Sequence, residues 1–478
     1  MSRISRRNLF TTAGAGLAIG AGFTADTGFT ADMPSYSNET KSSLLQQIQM
    51  LPNISGHEHW GSIDAIGWRK SGYVADLESD ATADDASIID ILFDPYSGMA
   101  LKSKGVDRNA LAQSKGYQDL KQWFRKEPAP AWSHVIEILD GLHSSGWFTC
   151  LDQGFRSLYG VAIQDLLNQK SNQIDSVLKL DNTVRSRYKH LMDWYPEACK
   201  ISNIEKILRP VQLEFGFNQS KRREYEIMSP LLRIDHFCDF YSKPTDAMRF
   251  CVEKTGIDPK NADQFREFLA KCFALARQAG FMGTKQLQAY KRPLNFERPD
   301  DADVCFEATK DREKRLVFGN FVMYECTALA SEYGWSHQIH VGTHNVPDSN
   351  PLPLKRLIHD FPKVNFVLLH CWPFIEEAAY LAKSSANVYI DPCWSPILSL
   401  EFFEQSMETY IGYLPDNKVA IGHDSTSVEM AAGSLHFCRK ILARVLQKRI
   451  DNNNLSYDAA LNLAKRYLSE NAKHIYNL

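Results

Sequence analysis

The chain has 478 residues, with 54 basic and 57 acidic side chains and a formal net charge of −3. This balance leaves no basic face for nucleic acid and no polybasic membrane anchor, so the expected partner is a small molecule. Hydrophobic residues make up 44% of the chain and aromatic residues 11%, values that exclude a disordered or fibrous protein. The length suits one large domain that carries an insertion.

The first 33 residues are predicted to be an export signal rather than part of the fold. Arg6 and Arg7 precede a weakly apolar run rich in glycine and alanine, residues 11–21, which is typical of a twin-arginine signal. An ordinary secretory signal and a frayed basic terminus are the alternatives. The run is too short and too polar for a stable membrane span, so we expect a periplasmic or extracellular protein.

Short apolar runs alternate with helical segments along residues 45–478. The eight predicted strands are 54–59, 204–209, 231–235, 280–285, 337–341, 364–370, 387–391 and 418–424. Nearly continuous apolar strands that alternate with helices are typical of a parallel sheet covered on both faces. Eight such units predict an α/β fold of the TIM type, a closed (β/α)8 barrel.

A long interval follows the first predicted strand. It covers about 140 residues, whereas an ordinary connection in such folds has only a few. Helical stretches such as 133–142 and 163–180 lie in it, so we predict a helical insertion at about residues 65–200. Because it follows the carboxyl end of a strand, the insertion is expected to overhang the barrel mouth. A separate small domain packed elsewhere is the alternative.

Five potential metal ligands stand at the ends of predicted strands. His57 and His59 close the first strand, and side chains two residues apart on a strand share a face. His340, His370 and Asp424 close the fifth, sixth and eighth strands. A single strand histidine is more often a core residue, but the carboxyl ends of barrel strands converge on one face. Imidazole nitrogens with a carboxylate suit Zn²⁺ that keeps an open position for water.

This arrangement resembles the signature of the amidohydrolase superfamily. The second half of the chain is similar to its amidohydrolase-2 (amidohydrolase-related) branch. The similar stretches are 283–290, 366–373, 387–391, 418–422 and 470–476. The resemblance covers most of residues 50–478, but His423 stands where the branch usually has threonine or serine, and the insertion has no matching motif. Both departures concern the substrate rather than the fold.

The resemblance implies a metal-dependent hydrolase that cleaves an amide, ester or lactone-like bond in a small molecule. His57, His59 and Asp424 would hold a divalent metal, with His340 as a further ligand. Zn²⁺ is the metal that we expect, and the presence of a second metal is left open. Asp424 would also take the proton of the attacking water and pass it to the leaving group. His370 would polarise the substrate carbonyl or bind the second metal.

Five further side chains are candidates for the substrate pocket. Lys285 ends the fourth predicted strand and is either a carboxylated bridge between two metals or an anchor for a substrate carboxylate. Arg233 could be a second anchor, although an exposed arginine is the commoner outcome. Asp391, Trp372 and Trp394 follow strand ends; for the tryptophans, ordinary packing is an equal alternative.

Other chemistries fit the same residues. A metal-dependent non-oxidative decarboxylase or a uronate-isomerase-like enzyme would keep the metal and place a substrate carboxylate or hydroxyl on it. A carboxylate clamp formed by Lys285 and Arg233 fits the decarboxylase, whereas a carboxylated Lys285 implies two-metal hydrolysis. A non-catalytic binding protein on the same barrel is a more remote alternative, and it predicts a lost ligand that the sequence does not show. Assembly into a homo-oligomer is left open.

Overall fold

The computed structural model describes residues 38–59, 86–168, 174–214 and 226–478. The predicted export signal, residues 1–33, lies outside the described residues, as does the first part of the predicted insertion. Among the helices described, none combines the length and the apolar character that crossing a membrane requires.

A parallel sheet of seven strands forms the centre of the fold. The strands are β1 (Asn53–Ser55), β2 (Ile204–Val211), β3 (Met228–Arg233), β4 (Gly283–Gln286), β5 (Ser336–Val341), β6 (Phe366–His370) and β7 (Val388–Asp391). Each strand pairs in parallel with the next one along the chain. The sequence of β6, Phe-Val-Leu-Leu-His, is buried throughout, as expected for a strand covered on both faces. The α/β fold of the TIM type is confirmed.

The predicted eighth strand, residues 418–424, is reduced to a single bridge. The Ala420 amide donates to the Ile390 carbonyl at 3.0 Å, which places this segment beside β7. The Asp424 amide donates to the His57 carbonyl at 2.8 Å, so the same segment also reaches the end of β1. Asp424 has a φ of 51°, outside the extended region, and regular strand pairing therefore ends before it.

Apart from β1, the regular elements described before β2 are helices. They are α1 (Asn38–Gln49), α2 (Ile88–Leu92), α3 (Ser97–Lys104), α4 (Ala110–Ser114), α5 (Leu120–Lys126), α6 (Pro128–Leu139), α7 (Gly146–Tyr159), α8 (Ile163–Leu167), α9 (Ile174–Tyr188) and α10 (Leu191–Ser202). All but α1 lie between β1 and β2. The described part of this interval is therefore helical.

The remaining helices alternate with the later strands and close the chain. They are α11 (Asp235–Cys238), α12 (Asp246–Thr255), α13 (Ala262–Gln278), α14 (Arg312–Tyr333), α15 (Lys355–Asp360), α16 (Ile375–Ser384), α17 (Ser395–Leu398), α18 (Leu400–Tyr413), α19 (Val428–Asp451), α20 (Tyr457–Lys465) and α21 (Asn471–Tyr476). Short 3-10 turns occur at Gln288–Tyr290, Asp301–Asp303 and Leu352–Leu354, and a π-helical turn at Arg466–Glu470.

Two glycines bring α7 of the insertion against α19 of the barrel. A Cβ atom on Gly154 would lie 1.8 Å from the carbonyl oxygen of Glu429, and one on Gly433 would lie 1.7 Å from that of Cys150. The two backbones are therefore in direct contact. The Ser427 side chain caps α19 by accepting from the Met430 amide, so this helix begins just after Asp424. The insertion is thus packed on the helix that follows the candidate site.

Candidate metal centre and active site

Three of the predicted ligands lie together at the carboxyl ends of the strands. His57 and His59 follow β1, and Asp424 is the last residue of the eighth segment. Nε2 of His59 is 3.1 Å from Oδ1 of Asp424, and Nε2 of His57 is 3.6 Å from the same oxygen. One ligand atom from each residue can be chosen so that all three lie within 4.8 Å of one another.

The protonation of these groups suits a cation. Burial lowers the pKa of His57 and of His59, so both imidazoles are neutral and can offer a lone pair. Burial alone would raise the pKa of the Asp424 carboxyl, but the neighbouring His57 and the hydrogen bond to His59 outweigh it and hold that pKa well below its usual range. Two neutral nitrogens and a carboxylate oxygen therefore fit a divalent metal.

His340 and His370 form a second, hydrogen-bonded pair beside this trio. Nδ1 of His370 is 3.0 Å from the Cys393 carbonyl, which can only accept, so this nitrogen carries the hydrogen. Nε2 of His370 then accepts from Nδ1 of His340 at 2.9 Å, and Nε2 of His340 faces the Thr343 hydroxyl at 3.0 Å. The structure therefore places His340 against His370 rather than in the trio.

His370 nevertheless faces the trio. Its Nδ1 is 3.5 Å from Oδ2 of Asp424. Burial lowers the pKa of His370 to about 4, so the ring is neutral at physiological pH. Because the single N–H of the neutral ring donates to the Cys393 carbonyl, the approach of Nδ1 to Asp424 places His370 beside the carboxylate without a strong hydrogen bond to it.

The two predicted cationic anchors are neighbours on adjacent strands. The register pairs Arg233 on β3 with Lys285 on β4, so both side chains leave the same face of the sheet. Nζ of Lys285 is 3.4 Å from Nε2 of His57, and burial lowers its pKa to about 8. Arg233 lies 3.9 Å from the Asp235 carboxylate. The site thus combines a candidate metal centre with two basic side chains.

Asp391 is fully buried at the end of β7. Its Oδ1 accepts from the backbone amides of Gly422 and Cys393, at 2.8 and 3.1 Å. Burial raises the pKa of this carboxyl to about 7. These contacts join β7 to the eighth segment, so the side chain supports the backbone beneath Asp424.

The two predicted tryptophans have different surroundings. The Trp394 ring lies 5.7 Å from the His370 ring and stacks at 4.8 Å on His344, which places it at the site. The Trp372 ring stacks on Phe402 at 4.3 Å. Trp394 is therefore a lining residue, whereas the Trp372 ring is engaged in packing.

Trp394 belongs to a row of rings that we call the aromatic wall, formed by Tyr96, Trp394, His344 and Tyr290. Successive ring centres along it are each 4.8 Å apart. Its last member, Tyr290, is 4.4 Å from the His340 ring and partly exposed. The aromatic wall therefore contacts both histidines of the pair, His340 and His370.

Tyr96 is a site residue that the strand-end pattern could not reveal, because it lies in the insertion between α2 and α3. Its hydroxyl donates to Oδ1 of Asp424 at 2.9 Å. The nearby Asp94 holds this loop in place by accepting from Nε1 of Trp147 at 2.9 Å and from the Thr426 hydroxyl. The insertion therefore contributes a side chain to the candidate site.

Glu58, which lies between His57 and His59, is a second site residue that the sequence analysis does not predict. It is fully buried, and its carboxyl accepts from the Ser55 hydroxyl at 2.6 Å and the Ser425 amide at 2.9 Å. Burial raises the pKa of Glu58 to about 8. It links the end of β1 to the residue after Asp424. Its position between His57 and His59 is the feature of the sequence that could have indicated this role.

His423, the departure from the related branch, faces away from the trio. Its Nε2 is 3.0 Å from Oδ1 of Asn53, and its Nδ1 is 3.2 Å from the Ser434 hydroxyl. Burial lowers the pKa of His423 to about 3. Both ring nitrogens are engaged within the protein, so this residue supports the fold around Asp424.

A comparison with known sequences found a family match in the second half of the chain. Residues 274–420 match the sequence model of the family described as Amidohydrolase. A stretch of 150 residues is 29% identical to Protein fluG of Emericella nidulans and covers 30% of this chain. The chain covers 17% of the length of that relative. Lys285, His340 and His370 lie inside the matched segment.

Solved structures share the fold over nearly the whole chain. A candidate metal-dependent hydrolase from Lactobacillus casei ATCC 334 superposes with a TM-score of 0.57 at 15% identity, covering 91% of this chain and 97% of that one. A uronate isomerase from Thermotoga maritima superposes with a TM-score of 0.67 at 14% identity, covering 92% and 98%. At such identities the likeness is one of fold.

Proposed function

We propose that this chain, whose residues 274–420 match the sequence model of the family described as Amidohydrolase, is a metal-dependent hydrolase that cleaves an amide, ester or lactone-like bond in a small molecule. The convergence of His57, His59 and Asp424 at the mouth of the barrel carries the proposal. The family match supports an enzyme with a divalent metal. We propose in addition that the reaction is a hydrolysis and that the metal is Zn²⁺.

The donor set is the reason for preferring Zn²⁺. Two imidazole nitrogens and one carboxylate oxygen form a common zinc site that leaves a position open. A bound divalent metal supplies Lewis acidity and lowers the pKa of water towards neutrality. His57, His59 and Asp424 would hold it.

Asp424 is the proposed general base. Its carboxylate is ionised, and its Oδ1 already accepts from the Tyr96 hydroxyl at 2.9 Å. Oδ2 is therefore the oxygen that we assign to the proton of the attacking water, which it would later give to the leaving group. His370, whose Nδ1 lies 3.5 Å from Oδ2, is the residue that we assign to the polarisation of the scissile carbonyl.

Lys285 and Arg233 would anchor a carboxylate of the substrate. Lys285 lies 3.4 Å from His57, so a group bound to it would be held next to the metal. The aromatic wall offers an apolar surface on another side of the mouth. An alternative role for Lys285 is a carboxylated bridge between two metals, which a content of about two metals per chain would favour.

The test is a hydrolysis screen with protein reconstituted with Zn²⁺, Mn²⁺ or Fe²⁺. N-acyl amino acids, esters and lactones with and without a carboxylate form the panel, and Asp424→Asn is the matched variant. We expect turnover by the wild type, a preference for carboxylate-bearing substrates, and loss of turnover in the variant. An equally active Asp424→Asn protein would contradict the assigned mechanism.

The pair of basic side chains also favours a second candidate, chemistry on a substrate carboxylate or sugar acid. Arg233 and Lys285 leave the same face beside the candidate metal centre, an arrangement suited to a decarboxylase or a uronate-isomerase-like enzyme. Release of CO₂ from aromatic or unsaturated acids, or aldose–ketose conversion of uronates, without hydrolysis in the screen would establish this candidate instead.

We also propose export through the twin-arginine-type segment in residues 1–33. Arg6 and Arg7 support it. Cell fractionation of the wild type and an Arg6→Lys/Arg7→Lys variant tests the proposal. We expect the wild type outside the cytoplasm and the variant retained inside, whereas equal retention of both would overturn it.

A further inference from the structure

Gln338 lies in β5 without exposed surface, and its side chain reaches the first ligand histidine. Its Oε1 is 2.8 Å from Nδ1 of His57. Its Nε2 is 2.5 Å from the carbonyl oxygen of Gly56 and 2.7 Å from the hydroxyl of Tyr476 in the last helix. The amide thus joins the loop after β1 to the C-terminal helix.

The Gly56 carbonyl determines the orientation of this amide. A carbonyl oxygen only accepts hydrogen bonds, so the amide nitrogen of Gln338 has to face it. The reversed amide would place two acceptor oxygens 2.5 Å apart in a buried environment. Oε1 of Gln338 therefore faces His57.

The orientation of the amide in turn determines the tautomer of His57. Because Oε1 of Gln338 only accepts, Nδ1 of His57 must carry a hydrogen. A neutral imidazole has a single N–H, so its Nε2 keeps a lone pair. That nitrogen lies 3.6 Å from Oδ1 of Asp424, on the side of the candidate metal centre.

We infer that Gln338 is a positioning residue that fixes His57 as the Nδ1–H tautomer and so keeps Nε2 available to a divalent metal. The inference rests on the proposed metal centre and assigns the residue that prepares one of its ligands. The other tautomer would direct a hydrogen at the position of the cation. It would also leave Nδ1 of His57 and Oε1 of Gln338, both acceptors, 2.8 Å apart.

The tautomer can be measured on the metal-free protein. Long-range ¹H–¹⁵N NMR on selectively labelled histidine rings distinguishes the two nitrogens, and a His57→Gln variant assigns the signals. We expect the hydrogen on Nδ1 in the wild type and loss of this pattern in Gln338→Leu. A wild-type His57 with its hydrogen on Nε2 would overturn the inference, whether or not a metal binds.

Zinc affinity provides the second readout. Gln338→Leu should bind Zn²⁺ about 10- to 100-fold more weakly, the usual consequence of losing the outer partner of a ligand histidine. Gln447→Leu is the control, since it removes another buried glutamine, whose Nε2 donates to Asp451 at 2.9 Å in α19. Circular dichroism checks that all variants are folded.

The outcomes separate this inference from the proposed function. If Gln338→Leu binds Zn²⁺ as tightly as the wild type, the inference is overturned while the metal centre stands. If the wild type binds no metal and hydrolyses nothing, the proposed function fails, and the tautomer of His57 still decides the role of Gln338.

Discussion

Burial and charge act in opposite directions on the groups around Asp424. Desolvation lowers the pKa of the surrounding histidines, whereas the neighbouring His57 and the hydrogen bond to His59 hold the pKa of Asp424 below its usual range. The Tyr96 hydroxyl also donates to this carboxylate, at 2.9 Å from Oδ1. A hydrogen bond to a buried carboxylate is stronger than a hydrogen bond between neutral groups. Its removal therefore has a measurable energetic cost.

Tyr96→Phe is therefore expected to reduce kcat by about 10- to 100-fold, the equivalent of one hydrogen bond to a charged group. The ring stays in the aromatic wall, so KM should change less than kcat. Steady-state kinetics with a substrate from the hydrolysis screen measures both. Tyr117→Phe, which alters a tyrosine stacked on Trp123 in the insertion, is the control. Unchanged kinetics in Tyr96→Phe would remove Tyr96 from the site.

Burial of His337 predicts that the free energy of unfolding depends on pH. It is fully buried, neither ring nitrogen has a hydrogen-bond partner among the described residues, and burial lowers its pKa to about 3. The unfolded chain binds this proton below about pH 6.5, whereas the folded protein resists it, so stability falls as the pH drops from about 6.5 to 3. The predicted loss from this residue between pH 7 and pH 5 is about 2 kcal/mol.

Urea unfolding of wild type and His337→Leu at both pH values measures this effect. The variant should lose about 2 kcal/mol less than the wild type between pH 7 and pH 5, since it has no proton to bind. His359→Leu, whose side chain is 86% exposed, should follow the wild type. Parallel pH profiles of wild type and His337→Leu would contradict the assignment.

Among the elements, the strands after residue 330 could be predicted well. The predicted runs 337–341, 364–370 and 387–391 differ from β5, β6 and β7 by no more than two residues. These runs are apolar because helices cover one face and the barrel interior the other. The ends of the first and eighth strands could not be predicted from the apolar pattern. Their last residues leave regular strand pairing and form the candidate site.

The contact between α7 and α19 supplies a test of how the insertion is held. Gly154→Ala would place a methyl group 1.8 Å from the Glu429 carbonyl, so the helices would have to separate. We expect the free energy of unfolding to fall by about 3 kcal/mol, as for an overpacked core. Gly98→Ala in α3, where a Cβ meets nothing within 4 Å, is the matched control and should be neutral or slightly stabilising. Thermal unfolding of both variants measures the effect. Equal melting temperatures of Gly154→Ala and Gly98→Ala would contradict the close packing of α7 and α19.

Across the described chain, the convergence of polar side chains at the strand ends could be predicted, whereas contacts that depend on the three-dimensional fold could not. The sequence singles out His57, His59 and Asp424, which lie together in the structure, because polar residues at the ends of apolar strands are unusual. Tyr96 lies 37 residues beyond His59 in an insertion with no recognisable motif, and only three-dimensional packing brings it to Asp424. The pairing of His340 with His370, and the support of His57 by Gln338, likewise depend on side-chain orientations that spacing does not reveal.

The metal content of the purified protein tests the central claim most directly. Plasma mass spectrometry should find about one divalent metal per chain in the wild type, and its loss in a His57→Ala/His59→Ala variant. A His359→Ala/His474→Ala variant, which removes two exposed histidines, should retain the metal. A wild-type protein that holds no metal even after reconstitution with Zn²⁺ would contradict the account.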